Sequence, residues 1–183
     1  NLPEKVLTDT DSFPLPDAMI AEAVEVVVND FNDLDIILAQ PDDAKPHLLR
    51  AYRRAETRES RVAYAHILGM LGDPSVAGTL AAEVRSRAWD KGWNYKGMGQ
   101  FGMSMSELDS LIVALGRTRD IKALDAIIEK VEQIEIESEF SHSRAVAIAL
   151  ETLGHPDAAK PLARLLRKPG IQGHAFTDIK DAR

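Results

Sequence analysis

One short pattern ending in Leu-Gly recurs along the 183 residues, and it constrains the fold more than any other feature. Its copies are Leu68-Gly69-Met70-Leu71-Gly72-Asp73-Pro74, Ile112-Val113-Ala114-Leu115-Gly116-Arg117-Thr118 and Leu150-Glu151-Thr152-Leu153-Gly154-His155-Pro156. Downstream columns keep register: Leu80, Leu124 and Leu162 align, as do Val84, Ile128 and Leu166. A weaker copy lies upstream, where Pro41-Asp42-Asp43-Ala44-Lys45-Pro46 matches Pro156-Asp157-Ala158-Ala159-Lys160-Pro161 at five of six positions. Steps of 33, 44 and 38 residues between copies are the length of a helical pair.

Each unit reads as helix, tight turn, helix. Gly72, Gly116 and Gly154 stand where a helix would end in a left-handed cap. Pro74 and Pro156 follow two residues later, where a first helical turn accepts a residue without an N–H. Leu108, Leu111, Ile112 and Leu115 precede the second turn, and Ile121, Leu124, Ile127, Ile128 and Val131 follow it; both runs fit a period of 3.6. Ser104 to Glu107 reads as the capping box of one first helix. Met19, Ile20, Ala23, Val24, Val27, Val28 and Phe31 form one continuous stripe, so the front is helical too. Alanine, the best helix former, occurs 24 times and aromatics make up 5%. The expectation is an all-α, right-handed solenoid of about eight helices in roughly four hairpins. One domain spans 1–183: an extended lead-in (1–16), first repeats (17–87), an insertion loop (88–103), later repeats (104–168) and the tail of a truncated unit (169–183). The opening Asn1 and the barely begun helix at the far end read as an excised piece of a longer chain.

Charge narrows the partners. Residues 1–43 carry eleven carboxylates and one base, Lys5, within a net charge of −7. That front argues against nucleic acid, whose phosphates require a basic face. Arg50, Arg53, Arg54, Arg58 and Arg61 form a local basic cluster, either a solvated helix face or a docking face. The longest wholly apolar run, Ala145 to Leu150, is far short of the roughly twenty residues of a membrane span, so no membrane partner is expected. With no cysteine there is no disulfide, thiolate nucleophile or Cys-based zinc site.

Helical pairs of this length with Leu-Gly-Asp/His-Pro…Leu resemble the bacterial HEAT-like repeats of the phycobilisome-lyase type over residues 38–168. That resemblance implies stacked hairpins with the column leucines as core, and implies no particular chemistry. No histidine is followed by Glu, the pairing that HEAT-like metal hydroxylases place in their repeats, and His-Glu-x-x-His is absent. No catalytic, cofactor-binding or metal-binding residue is therefore assigned. His155 reads as a cap in a turn, and His66 as a satisfied imidazole on an apolar face.

The longest step holds the insertion. Residues 88–103 contain both tryptophans, Trp89 and Trp93, with Tyr95, Phe101 and four glycines among sixteen residues. Such a stretch has no helical period and reads as a loop. Its rings could pack on the helices, on another part of the same protein, or around a small-molecule pocket. Trp89, Trp93, Tyr95 and Phe101, with His142, are the candidate contact surface. Residues 93–102 and 109–118, with 140–147 and 173–177, resemble the C-terminal helical region of large bacterial FAD-dependent oxidoreductases. The resemblance implies an upstream flavin-binding Rossmann portion holding FAD, no flavin contact in these residues, and docking on that upstream domain or on another protein.

Overall fold

Apolar stripes of period 3.6 place helices along most of the described chain. The computed structural model describes residues 15–28, 33–92 and 105–169. Among them are nine α-helices and no strand. The chain divides into two compact units, Asn1–Arg54 and Ala55–Arg183.

The first unit contains α1 (Asp17–Val26), α2 (Leu34–Ala39) and α3 (Pro41–Arg54). Ile20, Ala23, Val24 and Val27 close against Ile37 and against Ala44, Leu48 and Ala51 of α3. α3 opens on Asp42 and Asp43 and ends on Arg53 and Arg54, so its charges complement the helix dipole at both ends. His47 Nε2 meets Asp17 Oδ1 at 2.7 Å, and the Leu15 amide donates to Gln40 Oε1 at 2.8 Å. The expected stripe extends past the helix: α1 stops at Val26, Met19 is exposed, and Phe31 lies outside the described residues.

The second unit holds three helical hairpins: α4 (Arg58–Met70) with α5 (Ala77–Ser86), α6 (Glu107–Arg117) with α7 (Ala123–Glu132), and α8 (Phe140–Leu153) with α9 (Ala159–Leu166). α4, α6 and α8 pack side by side in one row, and α5, α7 and α9 in another. α6 is the centre of the unit, in contact with α4, α5, α7 and α8. Nearly all of it is buried, including Leu108, Leu111, Ile112 and Leu115. Among the described residues no helix is long and apolar enough to cross a membrane.

The turns follow the expected chemistry in two copies of three. Gly72 takes φ +77°, with the Asp73 amide bonded to Leu68 O at 2.9 Å and the Gly72 amide to Gly69 O at 2.9 Å. This doubly bonded C-terminal turn needs a left-handed residue at its corner. Gly154 plays the same part at φ +66°. Pro74 and Pro156 each begin a short 3-10 turn, helped by the Asp73 carboxylate accepting from Ser75 N and by His155 Nδ1 accepting from Asp157 N.

Gly116 departs from the expectation. It is not a left-handed cap but lies inside α6, and the positive φ falls on Arg119, at +55°. Its function is close approach: a Cβ built there would come within 2.5 Å of the Ala149 Cα and carbonyl oxygen on α8. Its structural counterpart is Gly69, whose added Cβ would meet Leu80 at 2.6 Å and the Ala114 backbone at 3.1 Å. The Leu-Gly match between the first two copies is thus three residues out of structural register. The downstream columns suffer accordingly. Leu80 and Val84 are fully buried and Leu124 is buried, but Ile128 and Leu162 are only half-buried and Leu166 is 57% exposed. α9 turns Pro161 and Leu165 inward instead.

Two glycine substitutions should move stability in opposite directions. Gly116→Ala improves helix propensity by about 1 kcal/mol, yet its methyl meets backbone that cannot step aside, so a net loss of about 1–3 kcal/mol is expected. Gly78→Ala in α5 meets nothing within 4 Å and should gain about 0.4–1 kcal/mol. Urea midpoints of both variants measure this; a stable Gly116→Ala would show that α6 and α8 are not in such close contact. Leu80→Ala should likewise cost roughly 2–5 kcal/mol, while Leu166→Ala should change stability by less than about 0.5 kcal/mol in the same assay.

Candidate functional site

The chain leaving α5 runs across the N-terminal ends of two helices, and buried polar groups collect there. At the start of α6, Ser106 Oγ accepts from the Asp109 amide at 3.1 Å, and Asp109 Oδ2 accepts from the Ser106 amide at 3.1 Å. The capping box is therefore Ser106 with Asp109, two residues beyond the expected start at Ser104. Asp90 Oδ2 adds a bond from the Leu108 amide at 3.1 Å. Three amides of this turn thus meet carboxylate or hydroxyl oxygens where the helix dipole favours negative charge.

At the start of α8, His142 reaches back to α6. Its Nδ1 lies 2.7 Å from Asp109 Oδ1, and its Nε2 lies 3.1 Å from the Asp90 carbonyl oxygen. The pair is nearly sealed: His142 is 3% exposed and Asp109 is 0% exposed. The ring stacks on Trp89, centroids 4.3 Å apart with 26° between planes. Gly92 crosses beside the same ring, where an added Cβ would lie 2.5 Å from His142 Cε1 and 2.6 Å from Ser141 Oγ. On the α7 side, Lys130 Nζ stands 5.5 Å from the Trp89 ring centroid and donates to Arg87 O at 2.5 Å and Gln133 Oε1 at 3.2 Å. A second polar knot joins Glu83 to Arg58 at 2.7 Å and to Arg87 at 2.7 Å, with Arg87 also 2.6 Å from Glu107.

Burial and pairing pull these groups in different directions. Burial raises the Asp109 carboxyl, but the hydrogen bonds from His142 and Ser141, the His142 charge and the Ser106 amide outweigh it and hold it below its ordinary value. Glu83 follows the same pattern, with burial outweighed by Arg87 and Arg58. Lys130 moves the other way, because burial disfavours its ammonium more than Glu129 restores it. Burial likewise lowers His66, whose Nε2 lies 2.8 Å from Ser110 Oγ.

An Asp–His couple of this kind orients imidazoles in nucleophilic hydrolases, where a hydroxyl stands at the second nitrogen. Here a backbone carbonyl occupies that place. Among the described residues, no group of three or more His, Asp or Glu is arranged to hold a metal ion. Between α4 and α5 lies an open groove of about 580 Å³, but Arg58 on its rim is bonded to Glu83 and Ser86, and Arg61 to Ala55 O.

Of the candidate contact residues, the structure brings Trp89 and His142 together as a stacked pair. Trp89 is half-buried and His142 turns its ring inward, so both rings are engaged with the chain's own helices. Trp93, Tyr95 and Phe101 lie outside the described residues. Asp109, Asp90, Lys130 and Gly92 complete the cluster without having been singled out. Ser106-x-x-Asp109 is a legible capping signal, and Lys130 beside Val131 on an apolar face of α7 is a legible anomaly. Nothing local marks Asp90, because its bonds to Leu108 and His142 span 18 and 52 residues.

Asp109→Asn removes one carboxylate acceptor from a buried, hydrogen-bonded cluster and should cost roughly 1–3 kcal/mol at neutral pH. The folded carboxyl is held below its unfolded value of about 3.9, so its contribution is complete above that value and disappears as pH falls through the lower folded one. Urea midpoints across the acid range should therefore fall for the parent chain and lack this component in Asp109→Asn. Parallel profiles would contradict the pairing. Compared with protein-family models, curated proteins and solved structures, the chain matches none.

Proposed function

We propose that the chain is a non-catalytic helical-repeat segment, a right-handed α-solenoid of HEAT-like hairpins, that works by docking through the insertion at 88–103. The observation that carries this reading is the side-by-side packing of three hairpins in the second unit, with the insertion rooted across the ends of α6 and α8. Successive hairpins build an extended surface, and an insertion between repeats falls on one face of it. Aromatic rings dominate contact surfaces because they bury large rigid areas. In a chain with 5% aromatics, the insertion concentrates Trp89, Trp93, Tyr95 and Phe101. With Trp89 serving as the anchor on His142, the contact itself falls to Trp93, Tyr95 and Phe101.

The partner in this reading is the upstream domain of the same protein, a FAD-dependent oxidoreductase of which this is the C-terminal region. Its support is the resemblance of residues 93–102, 109–118, 140–147 and 173–177. FAD would belong to the upstream portion, and no residue here is assigned to it. The alternative is a stand-alone interaction scaffold. The full reading frame separates the two: an upstream strand–glycine-rich turn–helix unit supports the flavoprotein, and a start codon close to Asn1 supports the scaffold.

Trp93→Ala combined with Tyr95→Ala should leave the melting of the helices nearly unchanged while weakening association with the upstream portion at least tenfold, about 1.4 kcal/mol. Calorimetric titration of the segment against the separately expressed upstream portion reads the effect. Loss of the fold with binding intact would instead make these rings part of the segment's own core.

A further inference from the structure

One hairpin turn carries an arginine where the other two carry glycine. Counted from Gly69 and its counterpart Gly116, Gly72 corresponds to Arg119 and Asp73 to Asp120. The bonding agrees. Gly72 N donates to Gly69 O at 2.9 Å and Arg119 N to Gly116 O at 3.2 Å. Asp73 Oδ1 accepts from Ser75 N and Asp120 Oδ1 from Lys122 N, each at 2.9 Å. All three corners are left-handed, at φ +77° for Gly72, +66° for Gly154 and +55° for Arg119. A residue with a Cβ is strained in that conformation, because the Cβ crowds the following carbonyl oxygen, and glycine is not. The turn itself would be better closed by glycine, so its geometry does not account for a long cation at 119.

The corner opens on a cavity. About 440 Å³ lies between the C-terminal ends of α4, α6 and α8, lined by Met70, Leu71, Gly72, Arg117, Arg119 and Thr152. None of these is a carboxylate, and both arginines are exposed. Arg117 gives Nη1 to Met70 O at 3.0 Å, which offsets the negative end of α4 and leaves most of its five donors for other partners. Offsetting a helix end does not explain Arg119, since the other two turns close without a cation at this corner. The Arg119 guanidinium has no hydrogen-bond or ion-pair partner among the described residues, and the adjacent Asp120 is turned to the Lys122 amide.

We propose that this cavity binds a small organic phosphate monoester, with its phosphate dianion between the Arg117 and Arg119 guanidiniums and its organic part against Met70 and Leu71.

Two cations without a counter-charge match a dianion, where a carboxylate would balance only one of them. A guanidinium fork presents paired N–H groups at the spacing of phosphate oxygens. Met70 and Leu71 are half-buried and supply an apolar wall, and the volume falls in the range of small-molecule sites. Because three helices turn their negative ends toward the cavity, an anion is favoured there only while both arginines are present. The cavity is at the opposite ends of α6 and α8 from the insertion, so this site stands independently of the docking surface proposed above.

The test is calorimetric titration of the chain with phenyl phosphate at about pH 8, where the phosphate group is a dianion, with benzoate as the singly charged comparison. Phenyl phosphate should bind one to one, more weakly as salt is raised, and at least tenfold more tightly than benzoate. Arg119→Gly should lower the affinity at least tenfold and yet unfold at no lower urea concentration than the parent, because glycine is at ease in the corner. Arg117→Gln keeps a donor for Met70 O without the charge and should lower the affinity by a similar factor. No saturable binding by roughly 10 mM phenyl phosphate would overturn the proposal, as would equal binding of benzoate. Undiminished affinity in Arg119→Gly would overturn it by leaving the arginine no part in the site. Unfolding of Arg119→Gly at lower urea would overturn it by making that arginine a support of the turn.

Discussion

Helix α6 cannot bury its apolar surface unless neighbours close on it from both rows. Leu108, Leu111, Ile112 and Leu115 are all buried, and the helix touches α4, α5, α7 and α8. Closing on α8 requires backbone against backbone, which Gly116 against Ala149 permits. The closing on α4 uses the same device one hairpin earlier, at Gly69 against Ala114, where Gly69 also meets Leu80 of α5. Small residues at these crossings bring the helices near enough for the large ones alongside to interlock, and tightly packed interiors tolerate little error in that spacing. The two-row order of the second unit follows from these crossings more directly than from any turn.

Polar groups at the N-terminal ends of α6 and α8 set the second requirement. Burying Asp109, His142, Lys130 and Glu83 is costly, and the cost is met only where each group finds partners. Asp109 is the hub: it caps its own helix through Ser106 and holds His142 from the neighbouring one. One carboxylate thereby couples the start of α6 to the start of α8. Lys130 does comparable work from α7 by holding the Arg87 carbonyl. The crossing segment 87–92 is thus tied to three helices by hydrogen bonds and a stacked ring rather than by an apolar face. Individual bonds of this kind contribute about 1 kcal/mol, so the hold on this segment is the sum of several small terms.

The sequence by itself determined that the described chain is helical, where most helices run, and that Gly72 and Gly154 close their helices in a left-handed turn. Those are local properties: a period of 3.6, a cap, a corner at Gly72 and Gly154 that other residues occupy only with strain. Only the tertiary structure decided what Gly116 is for, because a glycine within a Leu-Gly pair looks alike whether it ends a helix or lies under a neighbouring one. It also decided which column residues are core: Val84 and Leu166 share a column, but burial depends on whether another helix covers that face. The site shows the same division. Ser106 and Asp109 sit three residues apart and their capping pattern can be read along the chain. Asp109, His142 and the Asp90 carbonyl lie 33 and 52 residues apart, and nothing in a linear pattern reports that folding brings them within hydrogen-bonding distance.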